Sequence, residues 1–255
     1  LRHPSCKSSE ETIAKALTGH WQEEQLFVLR QSLELFDFYT AQIEACNAEI
    51  ERRFAAIPPR WDTPAELPEL PPAKPDSKTK NKPADSTRAE LFRITGVDLV
   101  AVDGISAGLA MNIISEVGTD MSRFPTEKHF CSWLGLAPHN EISGGKVLRS
   151  RTLKTDNRAG QAFRQAATSV TRSRSAFGAF YRRKKAQLGP AQALVATAHK
   201  IARTVYFMLK HQVAYHDIGA QGYEAARRER ELAALRRKAA QLGFELTQKA
   251  APGES

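Results

Sequence analysis

Cysteine is scarce: Cys6, Cys46 and Cys131 are three in 255 residues, far apart and without a CxxC pair. That excludes a disulfide framework and a thiolate zinc site, and it fits a reduced cytoplasm. Long apolar runs are missing as well. No stretch of about 18 apolar residues is available to span a bilayer, and the first residues lack the apolar core of a secretion signal. A soluble, cytoplasmic protein is expected. No Walker-type loop, HExxH or pair of catalytic carboxylates occurs, which leaves no self-contained hydrolase site. His129, His139, His199, His211 and His216 show no ligand-like spacing with carboxylates, so no metal site is expected in this chain. Cys131 lies in an aromatic stretch and reads as a small buried residue rather than a nucleophile.

What is present is a core and a strong positive charge. Hydrophobic residues make up 42% of the chain, enough to bury a core, and the formal net charge is +9. Between positions 146 and 185 there are twelve Lys or Arg and one acid, Asp156. That block alone carries more charge than the whole chain. Such a field points to a polyanion, of which nucleic acid is the commonest, against the plainer reading of a solvated basic face.

Apolar periodicity divides the chain. From Gln22 to Ile57, Leu29, Phe36, Ile43, Ile50 and Ile57 recur every seven residues, and Leu26, Leu33, Thr40, Asn47 and Phe54 form a second series. Together they make an a/d seam with Thr40 and Asn47 as its polar members. A helical hairpin or coiled-coil dimer is expected, against an amphipathic helix packed on its own domain. Eight prolines then lie between Pro58 and Pro83, as in a semi-rigid linker. The fold expected is mainly α: a coiled-coil segment (1–57), a Pro/Lys-rich linker (58–88), a compact helical domain (89–217) and a charged helical tail (218–255).

Within that domain, "RAELFRITGVDLVAVDGISAGLAMNIISEVG" reads as helix, turn, helix, with Gly104 and Ser106 at the turn. A helix-hairpin-helix-like turn aims free amides at a phosphate; a structural αα-hairpin fits equally well. A short helix follows from about Thr126 to Leu134. "NRAGQAFRQAATSVTRSRSAFGAFYRRKKAQLG" reads as one basic helix with an apolar face, and the segment after Gly189 and Pro190 as a mostly buried helix. The tail helix is expected to pack in an oligomer.

Between the short helix and the basic one lies "PHNEISGGKVLRSR", residues 138–151. It is expected to be an irregular loop. Ser143 precedes two glycines, which permit close backbone approach, and Lys146, Arg149, Arg151 and Lys154 follow. A serine hydroxyl attacks phosphate only if a base takes its proton and cations stabilise the transition state. No base is evident locally. The residues alone leave open a nucleophile or a loop that clamps phosphate.

From "ITGVDLVAVDG" through "RFPTEKHFCSWLGLAP", the serine–glycine pair, a K-x-x-N element and the Arg-bearing helix, the chain resembles the C-terminal transposase domain of the IS110 family, over about Phe92 to Tyr215. The helix before the linker resembles that family's coiled coil. The resemblance implies a DNA recombinase that moves an insertion sequence, guided by an element-encoded RNA. It implies a RuvC-like domain whose acidic residues hold Mg2+, and a C-terminal serine that joins a DNA 5′ phosphate; Ser143 matches that serine. Lys154 and Asn157 match the K-x-x-N element, with Asp156 where glycine is frequent, and Ser106 departs from the usual G-h-G turn. Gly104, Ser106, Gly144, Lys146, Arg149, Arg151, Lys154, Asn157, Arg158 and Arg164 are the nucleic-acid contacts expected. The partners implied are DNA (element ends and target), guide RNA and a second copy of the chain through the coiled coil.

The chain starts at Leu1 and its first residues read as the middle of a longer protein, with no room for a RuvC-like fold in residues 1–20. Alone it is expected to bind nucleic acid without exchanging strands. The rival expectation is a non-catalytic nucleic-acid-binding and oligomerisation protein left by a truncated element.

Overall fold

The computed structural model describes residues 6–19, 22–60, 70, 85–152 and 156–247, and the chain divides into two units, Leu1–Ala56 and Ile57–Ser255. Most of the Pro-rich segment lies outside the described residues.

The first unit is helical. In α1 (Glu10–Leu17) the Ser9 side chain accepts from the Thr12 amide at 3.1 Å, an N-cap that satisfies one of the helix's orphan donors. The second helix, α2 (Glu23–Ala56), runs 34 residues, about 50 Å at 1.5 Å per residue. Its sequence contains no Gly or Pro, and it stops before Pro58 and Pro59. Glu23 and Glu24 sit in the first turn and Arg53 in the last, complementing the helix dipole. Glu49 bonds both Arg52 and Arg53, which hold its carboxyl down to about 2. No residue of α2 is buried: Leu26, Leu29, Leu33, Phe36 and Ile43 are 44–66% exposed.

The second unit is a helical domain. It opens with α3 (Asp85–Thr95), which buries Leu91, Phe92 and Ile94. The expected first helix of the hairpin is shorter than its sequence pattern suggested. The helix ends at Thr95, Gly96 takes φ +76°, and only a 3-10 turn (Leu99–Ala101) precedes the bend. Asp98 is the cause: its carboxylate accepts from the Val100 amide at 3.0 Å and pairs with Arg88 in the interior, so the backbone re-enters as a capped turn. Beyond the bend, α4 (Ala107–Val117) buries Leu109, Ala110, Ile113, Ile114 and Val117 along one stripe.

The core is built on α8 (Pro190–His211). Its buried face, from Ala193 through Ile201 and Val205 to Leu209, meets α5 (Glu127–Trp133), α6 (Arg158–Ser169) and α7 (Ala176–Leu188). Phe130 of α5 is the hub, with ring centroids 5.1 Å from Phe124, 6.2 Å from Phe163 and 5.8 Å from Tyr206. Alanines 159, 162, 166 and 167 on α6 are all buried and let its neighbours come close.

The structure departs from the sequence expectation at three further places. The single basic helix is two helices, α6 and α7, broken at 170–175. Ser175 caps α7 by accepting from the Gly178 amide, and a Cβ on Gly178 would lie 2.4 Å from the Ser173 carbonyl oxygen. The expected irregular loop is instead an antiparallel pair, β1 (Pro138–Ser143) and β2 (Lys146–Thr152). The tail helix, α9 (Gly219–Gln241), packs within the chain: buried Tyr223 lies against Ala176, Ala179 and Phe180 of α7.

Candidate active-site hairpin and basic surface

Ser143 ends β1, at the mouth of a two-residue turn. Gly144 and Gly145 have φ of +58° and +75°. Two successive positive φ values are what the mirror-image hairpin turn demands, and its twist matches that of the flanking strands. No atom lies within 4 Å of where a Cβ on either glycine would stand, so the tip is open on that side.

Register decides what shares a face with the serine. Ser143 pairs with Lys146, Glu141 with Arg149 and His139 with Arg151, while Ile142 pairs with Val147. Leu148 is the extra residue of a bulge between those pairings. Because facing residues share a side and alternate along the strand, His139, Glu141 and Ser143 line one face with their partner positions. The sequence offered a cue in polar residues at 139, 141 and 143. Reading the segment as a loop concealed it, and with it Glu141 as the next side chain on the face of Ser143, with His139 a further two residues along the strand. Arg151 lies 3.9 Å from Glu141, with both side chains half exposed or more.

The hairpin's base is pinned. Asn157 caps α6, its Oδ1 accepting from the Gly160 amide at 2.9 Å, and its Nδ2 donates to the Trp133 carbonyl at 3.3 Å. Arg164 donates to the Gly135 carbonyl at 2.8 Å. A Cβ on Gly160 would fall 2.3 Å from the Leu134 carbonyl oxygen, so only glycine lets α6 approach the end of α5 this closely. Asn157 and Arg164, expected as nucleic-acid contacts, therefore bond the scaffold where the chain leaves α5 and re-enters at α6.

The other expected contacts fall in different places. Arg158 is 83% exposed beside the hairpin base, 3.8 Å from Glu116, at a polar groove between α4 and α6 that also holds Asn112 and Gln165. Gly104 faces the far end of α6: a Cβ there would meet the Ala166 carbonyl oxygen at 2.4 Å. Ser106 caps α4 by accepting from the Leu109 amide at 3.3 Å. From Asn157 to Ala166 is nine helical residues, about 14 Å, so the structure does not bring the Gly104–Ser106 turn to the hairpin. Lys154 lies outside the described residues, and Arg149 is placed by its strand position alone.

The remaining nucleophile candidate is inert. Cys131 is fully buried, and burial pushes its thiol up to about 12. Among the described residues no three His, Cys, Asp or Glu side chains converge to hold a metal, and no helix is long and apolar enough to cross a membrane.

No curated protein matches the chain. A family model, described as Transposase IS116/IS110/IS902 family, matches residues 98–182, from the Asp98 cap through the hairpin into α7. Over these residues the chain is similar to the transposases of that family, which supports a transposase-type domain at this position.

Proposed function

We propose that this chain supplies the nucleophile of a serine-type, RNA-guided DNA recombinase, and that Ser143 is that nucleophile. The observation carrying the reading is the position of Ser143 at an exposed turn of two glycines, opposite a lysine. The hydroxyl stands where a strand can reach it. The Ser143 oxygen forms a bond to the phosphorus of a DNA 5′ phosphate, and the bond from that phosphorus to the neighbouring 3′ oxygen breaks. The serine's proton goes to a base, and the departing 3′ oxygen takes one up. Glu141, the next residue on the same face of β1, is the proton acceptor that this chain offers to Ser143, whereas His139 stands four strand residues away, about 13 Å, beyond direct reach. Lys146 stands opposite to meet the negative charge on the phosphoryl oxygens.

Attack by a 3′ hydroxyl of another strand reverses the step and frees the serine, so exchange needs no net hydrolysis. Arg151 and Arg158 are the exposed cations on and beside the hairpin that hold the flanking phosphates. Gly144 keeps the approach clear. Asn157 and Arg164 act as positioning residues. The Gly104–Ser106 turn offers only the first amides of α4. Among the described residues no three His, Cys, Asp or Glu side chains gather to hold a magnesium ion. The resemblance assigns that ion to a RuvC-like domain rather than to these residues. The exposed seam of α2 supports self-association of protomers.

Strand exchange separates this reading from a binding and assembly protein. In a recombinase joining these residues to a RuvC-like domain, with donor and target DNA, element RNA and magnesium, Ser143→Ala is expected to abolish exchange and leave DNA binding within about twofold, because it removes a group that acts only in the transition state. Full exchange by Ser143→Ala would make the hairpin a phosphate clamp.

A further inference from the structure

Helices α7, α8 and α9 line an open cleft of about 500 Å³, on the far side of α7 from the matched hairpin segment in sequence. Its lining is aromatic below and cationic above. From α7 come Phe180 and Arg183, and from α8 His199, Lys200 and Arg203. Tyr223, Arg227, Arg230 and Glu231 complete it from α9. Five cations thus face one carboxylate.

That carboxylate is already engaged. Glu231 bonds Arg227 at 2.8 Å, and Arg203 leans 3.7 Å from Glu127 of α5. Arg183 donates to the Tyr223 hydroxyl at 3.1 Å, and Arg230 to the Ala226 carbonyl at 3.0 Å. Lys200 rests over the faces of Phe180 and Tyr223, 4.5 and 4.6 Å from the centroids. Among the described residues, Arg183, Lys200 and Arg230 form no ion pair. Gathering like charges in a half-buried cleft is unfavourable, and ring faces offset only part of that. A bound anion would offset the rest.

We infer that this cleft is a second phosphate-binding site, which holds the backbone of a nucleic-acid strand through Arg183, Lys200 and Arg230. The choice of nucleic acid rests on the reading above. It is favoured over an acidic peptide because the basic block of residues 146–185 leads into α7 at the cleft wall. The rigid aromatic floor sets the depth at which the lysine ammonium can meet a phosphate oxygen, and the arginines of α7 and α9 reach it from either side.

The site has a readout that a merely cationic surface lacks. Burial first, then Arg230, Arg183 and Arg203, pushes Lys200 down to about 8. His199 is lowered by burial and Arg203, so it stays neutral at this pH. A phosphodiester placed beside Lys200 favours its charged form, so binding near pH 8 must take up protons.

The test is titration calorimetry of the full chain with a short DNA duplex and an RNA hairpin of equal length. Two buffers of different ionisation enthalpy near pH 8 report proton uptake, and binding is repeated across a salt series. Wild type is expected to take up protons with at least one probe, and the probe that does so identifies the strand. Lys200→Met keeps the stem and should abolish the uptake. Arg230→Gln, on an exposed α9 position, should lower the slope of log K against log salt by about 1. Binding without uptake, with Lys200→Met and Arg230→Gln both unchanged, overturns the cleft site alone. Uptake driven by a poly-glutamate peptide but by neither nucleic acid also overturns it. No nucleic-acid binding by wild type removes both this site and the reading beneath it.

Discussion

Asn157 does two jobs with one amide, capping α6 through its oxygen and holding the Trp133 carbonyl through its nitrogen. Replacement by Ala removes both, and loss of an N-cap typically costs about 1 kcal/mol. Gly160→Ala acts on the same junction by a different route, since its new methyl would sit 2.3 Å from the Leu134 carbonyl oxygen and force α5 and α6 apart. Overpacking of this kind costs about 1–3 kcal/mol. Urea unfolding should rank the two, with Gly160→Ala the more damaging. A Gly160→Ala protein as stable as wild type would show that the junction yields freely and does not fix the hairpin's base.

At the scale of elements, the β1–β2 hairpin is stabilised mainly by itself. Every residue of β1 is exposed, and Ile142 and Leu148 are 63% and 70% exposed. An isolated two-stranded hairpin is marginal in water, so its turn must fit. Gly144→Ala and Gly145→Ala each place a Cβ at positive φ, at a cost of about 1–2 kcal/mol. That strain falls on the hairpin and spares the core around Phe130. The expected outcome is an unchanged thermal midpoint together with faster proteolytic nicking within residues 138–152. A large fall in the midpoint would mean that the hairpin is part of the cooperative core.

This exposure also explains what the sequence hid. A strand shows itself through alternating burial, and β1 buries nothing, so only the two glycines marked the turn. The break between α6 and α7 carries no proline, and its signal was the single cap at Ser175. Helix α2, by contrast, was legible to within a residue or two, because its heptads run without Gly or Pro up to Pro58. Ser143 stood out in the sequence by its place before two glycines, but the face it shares with Glu141 needed the strand register, and the α7–α9 cleft needed three helices in place.

At the scale of the whole molecule, the exposed seam of α2 predicts that protomers meet. The a/d seam of α2 leaves Leu29, Phe36 and Ile43 exposed at 55%, 66% and 59%, and covering such side chains contributes about 1.5–3 kcal/mol each. Val28, Leu35 and Phe38 are exposed as well, on the face opposite the seam. One partner helix covers only one of the two faces, which favours an assembly of more than two helices. Sedimentation of the chain should show an oligomer that Phe36→Glu dissolves. A monomer in wild type at micromolar concentration would remove the coiled-coil role from α2.

Covalent attachment of DNA to Ser143 can be read directly. Recombination is stopped with denaturant, the DNA is digested, and tryptic peptides are searched by mass spectrometry for a nucleotide phosphate on residues 138–149. The added mass is expected on Ser143, and on no other residue. A covalent nucleotide on a different side chain, or strand exchange with no protein-linked DNA at any time, would contradict it.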